Sequence, residues 1–348
     1  MMSGLQSTEV SMPFSNKLQA EMSIGADIKE NAIVSTDKAL LDILLIDRTR
    51  STEESTHNIL WATDNYLHYG DGYNADNEIT VESITGENGL ILRPRVNKSK
   101  AEQEYRSRDK AEVFTPAWIC NCQNNLIDSE WFGTESPFNT EINNGWNTNH
   151  EKISFPEGKE WTEYVNDTRL EITCGEAPYL VSRYNVVTGE EIPVKDRIGI
   201  IDRKLRVVSV NCEDEKNWLE WAIKAYKATY GFEWQGDNLL LAREALLYTF
   251  IDHFESKFTK KPAKASVRKI AEIISWNIWQ MDGLKGVVPG TCHEKITQEV
   301  SLFGDIDETV EKCIGCETND IYKHNGVYCK IKDWKARKTI RFVDLLNK

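Results

Sequence analysis

Across residues 169–258 short strand-like runs alternate with long helical ones, and this alternation limits the fold more than any other feature of the sequence. Arg169-Leu170-Glu171-Ile172-Thr173 is strand-like and is followed closely by Gly175. Residues 217–228 carry amphipathic helical spacing, and Ala228-Thr229-Tyr230-Gly231-Phe232-Glu233-Trp234 reads as a second strand. In residues 238–258, Leu239, Leu240, Ala242, Leu246, Leu247, Phe250, Ile251 and Phe254 recur at helical period. Strand, turn, helix, strand, helix calls for parallel strands joined by crossover helices, so the expected class is α/β. A third apolar run, Ile274-Ser275-Trp276-Asn277-Ile278-Trp279, is expected to form another strand leading into Asp282-Gly283. The sequence shows no internal repeat.

The rest of the chain divides around this core, and 348 residues allow a sizeable one. Residues 1–35 are polar without sustained periodicity and are expected to form a flexible leader. Residues 36–105 read as a small mixed α+β module, 106–290 as the sheet domain, and 291–348 as a basic C-terminal extension. Residues 97–113 are rich in charge and helix formers and halt at Phe114-Thr115-Pro116, because a proline pushes its predecessor out of the helical region. Residues 129–167, rich in Asn, Gly, Thr and Trp, read as long loops.

The formal charge of −13 excludes a protein that coats nucleic acid non-specifically, since phosphate neutralisation needs clustered cations. The charge is uneven, however. Residues 93–110 hold seven Lys/Arg against three acids, and residues 323–348 hold eight against two. Each run is either a solvated basic face or a phosphate-facing rim.

Three acids stand where a ligand could use them. Glu171 and the Gly175 turn lie at the carboxyl end of the first strand, where backbone can approach a ligand closely; any strand-to-helix turn can also hold one glycine. Glu233, at the tip of the second strand, suits a ribose diol or, alternatively, a helix cap. Asp282 follows the third run and could accept from an exocyclic amine. The interval from Glu171 to Glu233 is far longer than the roughly 20 residues of a dinucleotide fingerprint, which disfavours a nicotinamide enzyme. Most of the eleven tryptophans are expected in packing, with Trp276 and Trp279 the candidates for stacking on a base.

Eight cysteines without a secretion signal read as thiols or metal ligands in a reducing, cytoplasmic setting. No apolar run approaches the roughly 20 residues of a spanning helix, so no membrane partner is expected. Cys313, Cys316, His324 and Cys329 have a spacing similar to a zinc knuckle, with Cys292 and His293 as spare ligands, so a structural zinc is one expectation and incidental thiols the other. Cys120 and Cys122 are read as structural.

Phe114-Thr115-Pro116, Glu171 through Cys174-Gly175, Gly231-Phe232-Glu233 before Leu241-Ala242-Arg243, and Asn277 through Asp282 to Leu284 occur in that order. In that arrangement the chain resembles the adenine-specific DNA methyltransferases that serve as modification subunits of type I restriction systems and as fused type II enzymes. The resemblance covers about residues 105–290. It implies a Rossmann-like, S-adenosylmethionine-binding sheet domain. Phe114, Thr115 and Pro116 would wrap the methionine part. Glu171, Thr173 and Gly175 would face its amino acid end, Glu233 would hold the ribose hydroxyls and Asp282 the adenine amine. Two departures stand out: Glu171-Ile172-Thr173 replaces the family's Asp-Pro-Ala, and Ala177 replaces its second glycine. The family's Asn-Pro-Pro-Tyr box, which accepts from the amine of a flipped adenine and stacks on it, does not occur in these 348 residues. The resemblance therefore implies DNA and a partner subunit carrying that box and target recognition; otherwise the chain is an inactive interaction subunit, or a transferase acting on RNA or protein.

Overall fold

A computed structural model describes residues 23–24, 27–110, 112–300 and 306–346. The leader expectation falls mostly on residues outside these, but residues 30–35 belong to the first long helix, α1 (Glu30–Leu45). The structure is mixed α/β, and its centre is a three-stranded parallel sheet, β3 (Arg169–Glu171), β4 (Thr229–Glu233) and β5 (Ile278–Gln280), in sequential order. Helices α4 (Ile200–Asn211) and α5 (Glu215–Lys227) lie in the first crossover, which is why Glu171 and Glu233 are so far apart in sequence. Helices α6 (Gly236–Phe258) and α7 (Lys264–Asn277) form the second. The alternation thus yields parallel strands with crossover helices, as expected.

The third run departs from expectation: residues 274–277 end α7, and strand begins only at Ile278. Ile270, Ile273 and Ile274 are buried at helical spacing, and Asn277 closes the helix by donating from Nδ2 to the Tyr226 and Thr229 carbonyls at 2.9 and 3.0 Å. The stretch 129–167 also holds more structure than loops. Helix α3 (Ala117–Phe132) runs into it, and a hairpin, β1 (Asn139–Ile142) with β2 (Gly145–Thr148), follows.

Helix α6 is the spine of the core, buried nearly throughout from Gly236 to Phe250. Trp218 of α5 packs edge-on against Phe254 and Phe258 of α6. Arg243, fully enclosed, spends its guanidinium on backbone: it donates to the carbonyls of Leu44, Ile46, Ser275 and Ile278. These are end groups of α1 and α7 and the start of β5, so one side chain satisfies orphan carbonyls of two helix C-termini.

Residues 59–79 dock on the sheet through backbone. Gly236 donates its N–H to Trp61 O at 2.9 Å, and a Cβ there would come within 1.9 Å of Leu60 O, so only glycine permits the approach. The amide of Gln280 accepts from Leu60 N and donates to Leu60 O, both at 2.8 Å, extending the sheet with a side chain in place of a strand. Beyond β5 come two antiparallel hairpins, β6 (Lys295–Val300) with β7 (Ile306–Glu311), and β8 (Lys330–Asp333) with β9 (Lys338–Arg341). Among the described residues no helix is long and apolar enough to cross a membrane.

Candidate functional site

The carboxyl ends of β3 and β4 open on a cavity of about 670 Å³, lined by Phe114, Thr115, Glu171, Thr173, Gly175 and Glu233. Such a volume suits a small molecule, and the C-terminal edge of a parallel sheet is where α/β folds place one. Six candidates from three separate stretches of sequence therefore meet in one place. Pro116 stands just outside the lining, where it caps α3.

The turn at 173–177 is wound unusually. Thr173, Gly175 and Ala177 all have left-handed backbone, φ +49°, +54° and +61°. For the β-branched Thr173 and for Ala177 this costs about 1 kcal/mol or more each, so the surroundings must impose it. Cys174 N donates to Phe232 O at 2.8 Å, and Gly175 N donates to Glu233 Oε2 at 2.9 Å, tying the turn to β4. Glu233 Oε1 accepts from Gln235 N at 3.1 Å. Glu171 accepts from the N–H groups of Tyr179 and Leu180 at 3.4 and 3.2 Å, holding the far side. Burial pushes both carboxyls upward, Glu171 well above the usual carboxylate range, against the opposing pull of these N–H donors. Both acids thus brace the turn, and each retains unused lone pairs for a ligand.

Asp282 is not brought to the cavity. Its Oδ1 accepts from the N–H groups of Leu284 and Lys285 at 3.0 and 3.2 Å, so it shapes the turn after β5. Trp276 and Trp279 are absent from the lining as well; Trp279 is buried against Phe232 and Phe342.

Sequence reasoning missed Glu112, Trp234, Gln235 and Asn238, all in the wall. Trp234 follows Glu233 and is fixed by Nε1 donating to Ala62 O at 3.0 Å, with 41% of its surface exposed. Among the described residues Asn238 Oδ1 is buried and finds no hydrogen-bond partner, so a donor on a ligand would satisfy it. Adjacency to Glu233 was a signal for Trp234; nothing local marked Asn238.

Behind this wall lies a buried ionic cluster built from the basic run 93–110. Arg106, on α2 (Lys100–Asp109), donates through Nε to both Glu112 oxygens at 2.8 Å and through a terminal nitrogen to Asp237 at 2.5 Å. Tyr66 OH donates to Asp237 at 2.7 Å, and Lys98 Nζ, also buried, is 3.8 Å from it. Gln235 Nε2 donates to Glu112 at 2.7 Å and links the cluster to the lining. Burial alone would raise Asp237, but the Arg106 and Lys98 charges hold its pKa at about 2. Lys98 and Arg106 are accordingly not part of any phosphate-facing rim.

A second cluster lies after β5. Donor atoms of Cys292, Cys313, Cys316 and His324 all fall within 4.8 Å of one another, a group that can hold a metal ion. Three are expected ligands; Cys329 is not with them. Its N–H donates to Gly286 O at 3.0 Å and its Sγ to Gln280 O at 3.2 Å, which buries the thiol under β5 among Phe232, Trp279 and Met281. The spare ligand Cys292 takes the fourth position, and its neighbour His293 stays outside the group.

Comparison with known protein families, with curated proteins and with solved structures finds no match to this chain.

Proposed function

We propose that the cavity binds S-adenosylmethionine and that the chain is the cofactor-binding component of a DNA adenine methyltransferase of the restriction-modification type. The supporting observation is the convergence of Phe114, Thr115, Glu171, Thr173, Gly175 and Glu233 on one cavity at the carboxyl edge of a parallel sheet. Bound there, the cofactor would supply an electrophilic methyl group on its sulfonium. The residues present fit it: the open lone pairs of Glu233 suit a ribose diol, the face of Trp234 suits a purine, and Asn238 Oδ1 offers a free acceptor. The acceptor for a target adenine amine is then supplied by another polypeptide, which with DNA completes the system.

Titration calorimetry with S-adenosylmethionine tests this. Heat of binding is expected for the wild type and at least about a tenfold weaker affinity for Glu233→Gln, since a lost charge-assisted hydrogen bond removes about 1.5–3 kcal/mol. No heat with the wild-type chain removes the proposal. A second reading, an interaction subunit of the same architecture without cofactor, is favoured by two observations. Both sheet-edge acids already accept backbone N–H groups, and Asp282 is used in a turn. The same titration separates the two readings.

A further inference from the structure

The four-residue cluster after β5 has the shape of an occupied metal site. Cys292 Sγ lies 3.4 Å from Cys313 Sγ, 3.5 Å from Cys316 Sγ and 3.4 Å from His324 Nδ1. His324 Nδ1 is in turn 3.6 Å from both Cys313 Sγ and Cys316 Sγ. A tetrahedron with metal–sulfur distances of about 2.3 Å and a metal–nitrogen distance of about 2.0 Å has edges of roughly 3.5–3.8 Å. The five separations, 3.4–3.6 Å, lie at or just below those edges. They are also far too long for a disulfide, whose sulfurs stand about 2.05 Å apart, and all four partners of one centre converge where a disulfide would gather only two.

The backbone around the cluster is prepared for thiolates. Asn325 N donates to Cys313 Sγ at 3.3 Å, and Cys316 N donates to Cys313 O at 3.0 Å, forming a tight knuckle. His324 N donates to Tyr328 OH at 2.8 Å, which fixes the segment carrying the imidazole. A Cβ on Gly315 would come within 2.5 Å of His324 N, so a glycine lets the knuckle close on the histidine. The segment carrying Cys292 is held separately: Asn325 Nδ2 donates to His293 O at 2.7 Å, and Val327 N donates to Thr291 Oγ1 at 3.0 Å.

We infer that Cys292, Cys313, Cys316 and His324 bind one zinc ion that closes the base of the β6–β7 hairpin. Three thiolates and one imidazole are a set zinc favours over the hard cations, and four protein ligands leave no open coordination position, which marks a structural centre. On binding, the three thiols release their protons to solvent and the imidazole enters neutral through Nδ1. Cys292 precedes the hairpin and Cys313 follows it, so the chain leaves and returns through the metal. His324 adds the approach to β8, fastening the knuckle and both hairpins to the loop after β5.

The test uses the full chain, purified without chelator and then dialysed against zinc chloride and metal-free buffer. Atomic emission is expected to find about one zinc per chain in the wild type and in Cys329→Ser, and less than about a fifth in Cys292→Ser after that dialysis, because losing one of four ligands opens the centre to water and exchange. X-ray absorption at the zinc edge of the wild type gives a readout independent of any variant's folding: three sulfurs near about 2.3 Å and one nitrogen near about 2.0 Å are expected. A wild type with less than about a tenth of an equivalent, a first shell other than three sulfurs and one nitrogen, or zinc lost from Cys329→Ser but kept by Cys292→Ser overturns the inference.

Discussion

Replacing Asp237 with Asn isolates the ionic cluster behind the cavity. The carboxylate accepts from Tyr66 OH at 2.7 Å and from Arg106 at 2.5 Å, and is 3.8 Å from Lys98 Nζ. All three charged side chains are enclosed, so the change removes the carboxylate closest to both buried cations and leaves Glu112 on Arg106 and the buried Glu176 near Lys98 as their counter-charges. Breaking a buried pair in this way costs about 3–5 kcal/mol, because the abandoned charge keeps its desolvation penalty. Urea unfolding at pH 7 should show that loss. The pH dependence gives a second reading of the same carboxylate. Asp237 titrates at 3.8 in an unperturbed chain and at about 2 when folded, so its contribution is complete above pH 4 and vanishes as pH falls through 2. The shift corresponds to about 2 kcal/mol. Over that window the wild type should lose about that much more stability than Asp237→Asn. A neutral variant costing under about 1 kcal/mol at pH 7, with the same acid slope as the wild type, would refute the cluster's role.

Two further substitutions probe the core. Arg243→Met removes the donor to four buried carbonyls, and a loss of at least about 3 kcal/mol in urea unfolding is expected, each unpaired acceptor costing about 1 kcal/mol or more; a loss within about 1 kcal/mol would show that the carbonyls find other partners. Lys204, whose Nζ donates to Asp167 O and Ala228 O, has its pKa lowered by burial from 10.5 to about 7. The unfolded chain therefore binds the extra proton between those values, and stability should rise with pH across that window by about 1 kcal/mol per unit. Lys204→Met should flatten the rise, as followed by urea midpoints at pH 7, 8 and 9; an unchanged slope assigns it to other groups.

What could be read from the sequence depended on periodicity. The helical spacing of Leu239 to Phe254 and the strand-like runs beside Gly175 and Glu233 place the sheet and the cavity edge, although Ile172 and Thr173, the β-branched residues of the first run, fall in the turn after β3. From residue 274 to 278 apolar and polar side chains alternate, Ile274, Trp276 and Ile278 against Ser275 and Asn277, which is a strand pattern; yet 274–277 form the last turn of α7, where Ile274 continues the buried helical spacing of Ile270 and Ile273. The basic run 93–110 looked like surface because charge density carries no depth; only the distant Asp237 shows that Lys98 and Arg106 face inward. Cys329 fits a ligand spacing along the chain, yet its backbone pairs with Gly286 while Cys292, brought in by the turn after β5, points at the knuckle. Side-chain braces such as Glu171 on Leu180 N and Asp282 on Leu284 N were equally hidden, since an acid at a strand end looks the same whether it awaits a ligand or holds a turn.

The clasp between Gln280 and Leu60 also sets an order in time. The two residues are 220 positions apart, and both hydrogen bonds of the clasp require the later one. At a synthesis rate of about 5–20 residues per second, the segment around Leu60 waits on the order of 10–40 s after it is made before its docking strand exists. Through that interval Leu60, buried in the finished protein in a cluster with Phe232 and Trp279, lacks the β5 residues of that cluster. Apolar surface left open in this way is a target for a chaperone on the ribosome, and slowing synthesis between the two positions should lower the yield of folded protein.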